Sequence, residues 1–144
     1  CFFYFFFRLC FDNNFKRAPQ YYVFPLWARF GSQMLAVEAN VSSATLSVYA
    51  GYKDAQTYTA LVINKTNKSY TTKISFDNSL SVKSAKAYVV RASSLTSFSV
   101  LYNGSSNPPN NLSTPPPYNV AKVGATVTYT LAPYSVTLLQ MVVP

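Results

Sequence analysis

Histidine is absent from this 144-residue chain, cysteine occurs only at Cys1 and Cys10, and there are four carboxylates. Each scarcity closes a class of chemistry. A zinc site draws three or four ligands from Cys and His, and two cysteines in one opening segment do not supply them, so no metal or other cofactor is expected. Without histidine no Ser-His or Cys-His nucleophile can be assembled within the chain. Hydrolysis by a carboxyl pair needs two such groups facing each other across the scissile bond. Asp12 lies in the opening segment, Asp54 and Asp77 stand in turn-like stretches where Asp bonds its own backbone, and Glu38 is alone near a strand end as a rim carboxylate. No catalytic residue is assigned. No apolar run reaches the length of about 20 residues that a membrane-spanning helix requires.

Charge is scarce as well, at 11% of residues, and lopsided: twelve basic residues give a net +8. Such a balance raises nucleic acid or an anionic surface as partners. However, Lys53, Lys65, Lys68, Lys73, Lys83, Lys86 and Lys122 are scattered singly among strand-like and turn-like segments. None belongs to a basic run interleaved with aromatics, so no nucleic-acid partner is expected and the lysines read as solvated guards of strand edges.

What the chain does have is apolar and aromatic side chains, 49% and 17% of residues, enough to build the core of one domain. Leu46–Asn64 organises it. Leu46-Ser47-Val48-Tyr49-Ala50 alternates with period two, Lys53-Asp54-Ala55-Gln56 is turn-like, and Tyr58–Ile63 is apolar at nearly every position, as in a strand covered on both faces. Before it, Gln20–Phe30 fits a short buried helix stopped by Gly31, and Pro25 places its start near Val23 or Phe24 with Tyr21 and Tyr22 extended. Trp27, within an all-round apolar helix, is expected in the core. Arg29 suits the helix C-terminus.

Further strands are predicted at Gln33–Glu38, Ser69–Phe76, Ser84–Arg91, Phe98–Tyr102, Thr126–Leu131 and Val136–Val143, the last two joined as a second hairpin by Ala132-Pro133-Tyr134-Ser135. In Ser69–Phe76, Tyr70, Thr72, Ile74 and Phe76 face inward and Thr71, Lys73 and Ser75 outward. Asp77-Asn78-Ser79 reads as a turn, and the proline-rich Ser105–Asn119 as an extended surface loop. The expected architecture is all-β, an antiparallel β-sandwich of about seven or eight strands preceded by one short helix. Asn-x-Ser/Thr sequons at Asn40, Asn64, Asn67, Asn103 and Asn111 fall at predicted turns or strand ends and mark candidate glycosylation sites of a secreted product.

Tyr21-Tyr22-Val23-Phe24-Pro25-Leu26-Trp27-Ala28-Arg29-Phe30-Gly31, Leu46-Ser47-Val48-Tyr49-Ala50, Leu61-Val62-Ile63-Asn64-Lys65 and Leu131-Ala132-Pro133-Tyr134-Ser135-Val136-Thr137-Leu138-Leu139, as an ordered set, resemble the C-terminal end of retaining barrel glycoside hydrolases such as arabinofuranosidases, xylosidases and related endoglucanases. The resemblance runs from about Gln20 to Val143. It implies that the helix corresponds to the last helix of the catalytic barrel and the strands to the β-sandwich beside it. It also implies that the acid/base and nucleophile glutamates stand on upstream barrel strands, with no counterpart here. The implied division is residues 1–19 as an atypical aromatic-rich segment at a truncated gene end, 20–32 as the barrel helix and 33–144 as the sandwich. The role that follows is an accessory sandwich of a secreted glycoside hydrolase, partnered by the barrel, with polysaccharide as a further candidate partner. A free-standing carbohydrate-binding module and an adhesion-type sandwich for protein contacts are the alternatives.

Overall fold

The computed structural model describes Cys10, Phe11, Asn14 and residues 16–76 and 80–144. Asp12, most of the opening aromatic run and the expected turn at Asp77-Asn78-Ser79 lie outside the described residues. Helix α1 spans Pro19–Phe30 and thus starts four residues or more before Val23. Pro19 occupies the first helical turn, where its missing N–H costs nothing. Pro25 is carried inside the helix, because Tyr22, Leu26 and Phe30 must share one face, at spacings of four, to be buried together. The last turn is held by Arg29, whose Nη1 donates to the Pro25 carbonyl at 2.9 Å and whose guanidinium lies 5.0 Å from the centre of the Tyr88 ring. No helix among the described residues is long and apolar enough to cross a membrane.

Among the described residues ten strands follow: β1 (Gln33–Leu35), β2 (Leu46–Asp54), β3 (Thr57–Asn64), β4 (Tyr70–Ser75), β5 (Ser84–Ala92), β6 (Val100–Tyr102), β7 (Tyr118–Asn119), β8 (Lys122–Val123), β9 (Thr126–Leu131) and β10 (Ser135–Val142). The larger sheet has the order β1-β2-β3-β10-β5-β6, with β7 beside β6 on the outer edge of β5, and the smaller sheet is β4-β9-β8. Every pairing is antiparallel. The two sheets form an all-β sandwich.

β2 and β3 make the expected hairpin, and β4 alternates as anticipated, with Thr71, Lys73 and Ser75 exposed. β9 and β10 do not make a hairpin. β9 pairs with β4 and β8 in the smaller sheet, while β10 lies between β3 and β5 along its whole length. The Ala132–Ser135 turn therefore passes the chain from one sheet to the other. A four-residue turn between two alternating runs reads the same in either case, and only the partners of β9 distinguish them.

The larger sheet is buried on both faces at its centre. Leu139 of β10 stands between Ala60 and Ala87 on one face, and Leu138 between Leu61 and Tyr88 on the other. The Leu139 face joins Val89, Val127 and Met141 in the core between the sheets. The Leu138 face meets Tyr22, Leu26 and Phe30 of α1. The molecule thus has three layers: helix, large sheet and small sheet.

The proline-rich segment is not simply extended. Pro108 and Leu112 are buried, Leu112 in the core under α1. Arg17 Nη1 donates to the Pro108 carbonyl at 2.5 Å, Arg17 Nη2 donates to Asn110 Oδ1, and the Tyr21 hydroxyl donates to the Asn110 carbonyl at 3.0 Å. Side-chain donors here replace the ladder bonds that proline cannot make.

α1 reaches the sheet through two glycines. A Cβ on Gly51 would lie 2.7 Å from both the Phe30 ring and the Phe30 carbonyl, and one on Gly31, whose φ is +109°, would lie 2.5 Å from the Tyr52 carbonyl. Beside Gly51 in register stands Thr59, whose buried hydroxyl donates to that same Phe30 carbonyl. Gly51→Ala is accordingly expected to destabilise by about 2 kcal/mol or more through overpacking. Gly124→Ala, at φ +56° with open space around it, should cost about 1 kcal/mol of backbone strain alone. Urea midpoints at unchanged m-value measure both, and equal costs would contradict the close dock. In the opposite face, the Thr137 hydroxyl is buried without a hydrogen-bond partner. Thr137→Val should therefore be neutral or stabilise by up to about 1 kcal/mol, and a clear loss of stability would show that the hydroxyl has a partner.

Candidate functional site

The carboxylates stand where their neighbours are turns and solvent. Glu38 is exposed in the segment after β1. Asp54 is exposed in the β2–β3 turn, where its Oδ1 accepts the Gln56 N–H at 3.1 Å. Hydrogen bonds from the Thr57 side chain and then from the Gln56 backbone hold its carboxyl below the usual range. Asp54 thus serves its own turn. Among the described residues no group of three or more His, Cys, Asp or Glu side chains comes together that could hold a metal ion.

The face of α1 turned away from the sheet is the largest unusual feature. Gln20, Phe24, Trp27 and Ala28 lie along it, and Phe24 is 42% and Trp27 40% exposed. Trp27 is therefore not core. The helix begins at Pro19 and seats Leu26, so its period places the next residue about 100° round, at the rim. Its indole is fixed edge-on to Phe30 at 5.3 Å and Tyr49 at 5.7 Å between ring centres. Met34, 65% exposed, pairs with Gly51 beside the Phe30 ring. Together these side chains make an apolar surface on a rigid support, and a surface of that kind marks a contact.

Under the helix, Tyr102 is buried and stacked on Tyr22 at 6.4 Å between ring centres. Burial pushes its phenol pKa up, with the nearby Arg29 charge opposing the shift. Tyr129 between the sheets is raised by burial in the same way.

The five sequon asparagines divide by burial. Asn40, Asn67 and Asn111 are exposed, while Asn64 and Asn103 are buried. Asn64 Nδ2 donates to the carbonyls of Lys68 at 2.7 Å and Ala132 at 2.8 Å. Its Oδ1 accepts from the Thr66 N–H at 3.0 Å and hydroxyl at 2.9 Å. It thereby ties the passage from β3 to β4 to the passage from β9 to β10, two of the four places where the chain changes sheet. Asn103, at φ +46°, accepts the Val89 N–H at 2.8 Å and donates to the Pro115 carbonyl at 3.1 Å. The sequence pattern marks both residues as acceptors for sugar, and nothing local in it reveals that their amides close the fold instead.

The fold is similar to that of several solved glycoside hydrolases. One is a family 30 endoxylanase from Clostridium papyrosolvens, with a TM-score of 0.61 and 19% identity over 86% of this chain and 28% of that one. Another is CelM2, a bifunctional glucanase-xylanase from a metagenome library, with a TM-score of 0.58 and 18% identity over 94% of this chain and 21% of that one. A family 44 xyloglucanase from Paenibacillus polymyxa, solved with xyloglucan, gives 0.56 and 16% over 78% of this chain and 19% of that one. The chain thus spans less than a third of each of these proteins. No protein-family model matches the sequence, and no curated protein matches it.

A raised folded-state phenol pKa means that the stability tied to neutral Tyr102 and Tyr129 is complete below the unfolded value near 10 and is lost as pH rises through the folded value. Stability measured in urea from pH 9 upward is expected to fall beyond pH 10. The fall should be smaller in Tyr102→Phe; an identical profile in that variant would contradict the assignment.

Proposed function

We propose that this chain is the non-catalytic accessory sandwich of a secreted glycoside hydrolase, and that it braces the catalytic barrel of its parent. The observation that carries the reading is the outer face of α1, where Phe24, Trp27 and Ala28 are held in solvent on a helix locked to the sheet from behind. A barrel covering that face explains why the helix is apolar all round. The similarity in fold to stretches of 19–28% of much longer glycoside hydrolases supports the same reading.

The neighbours are named for action on xylan, glucan and xyloglucan, so the parent is read as an enzyme of plant or microbial polysaccharide. The closer assignment to arabinofuranosidases or xylosidases rests on the sequence resemblance. Secretion is supported by the exposed sequons at Asn40, Asn67 and Asn111, which leave an asparagine amide reachable by the glycosylation machinery.

With Phe24 and Trp27 both about two-fifths exposed on the outer side of α1, the isolated chain is expected to self-associate. Light scattering should show oligomers that dissociate in a Phe24→Ser, Trp27→Lys double variant whose melting temperature stays close to that of the parent chain. A clean monomer for the unaltered chain would overturn the reading.

A further inference from the structure

At the end of β5, beside the turn between β9 and β10, lies a cleft of about 680 Å³. Its walls are the end of β5, strand β6, the Ala132-Pro133-Tyr134 turn and Asn67 of the β3–β4 connection. Ala92, Val100, Leu101 and Pro133 make its apolar surface, and Asn67, Ser93, Ser99 and Ser106 bring polar groups to it. None of its lining residues is a carboxylate.

Two features of this cleft go unused by the fold. Arg91 is exposed and its side chain makes no hydrogen bond or ion pair to any described residue. It continues the Ala85, Ala87, Val89 row of β5 past the end of the sandwich core, so its cation faces the cleft without a counter-ion. Tyr134 is the second. Its φ is +45°, a conformation that glycine or asparagine takes at lower cost. The position is fixed from both sides, by the Tyr134 N–H donating to the Thr66 carbonyl at 3.0 Å and the Ala92 N–H donating to the Tyr134 carbonyl at 3.0 Å. A bulky residue kept at a strained and tightly held position points to a use for its side chain.

We infer that this cleft binds an acidic saccharide: the Arg91 guanidinium takes the sugar carboxylate, the Tyr134 ring packs against the sugar face, and Asn67 with the cleft serines takes hydroxyl groups. Planar guanidinium groups suit carboxylates in two-point contact, and flat aromatic rings suit the apolar face of a pyranose. The site is independent of the helical face and of the barrel reading, since it is built from the end of β5, strand β6 and the connections beside them.

The test is calorimetric titration of the full chain, made in a host that adds no N-glycan at Asn67, with a short oligogalacturonate and, in parallel, with xylotetraose and cellotetraose. The acidic oligosaccharide is expected to bind, and the neutral ones to bind at least roughly tenfold more weakly, as loss of one charged contact implies. Arg91→Gln should weaken oligogalacturonate binding roughly tenfold or more. Tyr134→Gly should also lose binding while melting no lower than the parent chain, since glycine relieves the backbone. Lys73→Gln and Lys86→Gln, exposed elsewhere, should leave binding unchanged. Equal losses in the lysine and Arg91 variants would reduce the effect to the overall charge and overturn the proposal, as would absence of binding or preference for a neutral oligosaccharide.

Discussion

The last turn of α1 approaches the backbone of β2 so closely that no side chain fits between them. Phe30 lies where any side chain at position 51 would stand, and Gly51 is what lets it in. Thr59, next to Gly51 across the ladder, supplies the Phe30 carbonyl with a donor, so a buried helix end is not left unsatisfied. Once that end is fixed, the rotation of the helix is fixed too. Tyr22 and Leu26 fall onto Leu61, Leu138 and Val90, and Phe24 and Trp27 are turned to solvent. The outward apolar face is thus a consequence of the dock, and a rigid one.

A second constraint lies where β3 passes to β4 and β9 to β10, two of the chain's four changes of sheet. Asn64 joins those two passages with four hydrogen bonds, and Ser135 adds one more from its hydroxyl to the Ala132 carbonyl at 2.7 Å. This lets β10 leave β9 and enter between β3 and β5, where it is paired on both edges. The large sheet therefore has a central strand that comes last in sequence. Closing it requires contacts between distant parts of the chain, a slow kind of pairing. The end of β5, strand β6 and the Ala132-Pro133-Tyr134 turn together wall the cleft around Arg91 and Tyr134.

Much of the fold was legible because side-chain period reports burial directly. The unbroken apolar run of β3 announced a strand covered on both faces, and the alternation of β4 announced one face in solvent; both hold. The layer to which a strand belongs leaves no such trace. Ala132-Pro133-Tyr134-Ser135 looks like a hairpin turn and is a crossing between sheets, because partner choice depends on residues about 60 positions away, such as Thr71 opposite Thr130. Trp27 is expected in the core and stands at the rim because a helix apolar all round carries no polar face to mark which side meets solvent. The cleft could not be read at all, since its walls come from separate stretches of chain that only the folded topology brings together.

The central claim is that α1 is one structural unit with the sheet, holding its apolar face ready for a covering domain. Native-state amide hydrogen exchange tests it most directly, since it resolves local opening from global unfolding. The amides of Leu26–Phe30 should exchange with the same opening free energy as those at the centre of β3 and β10. Exchange of α1 through a separate, lower-energy opening, with the sheet still closed, would contradict it.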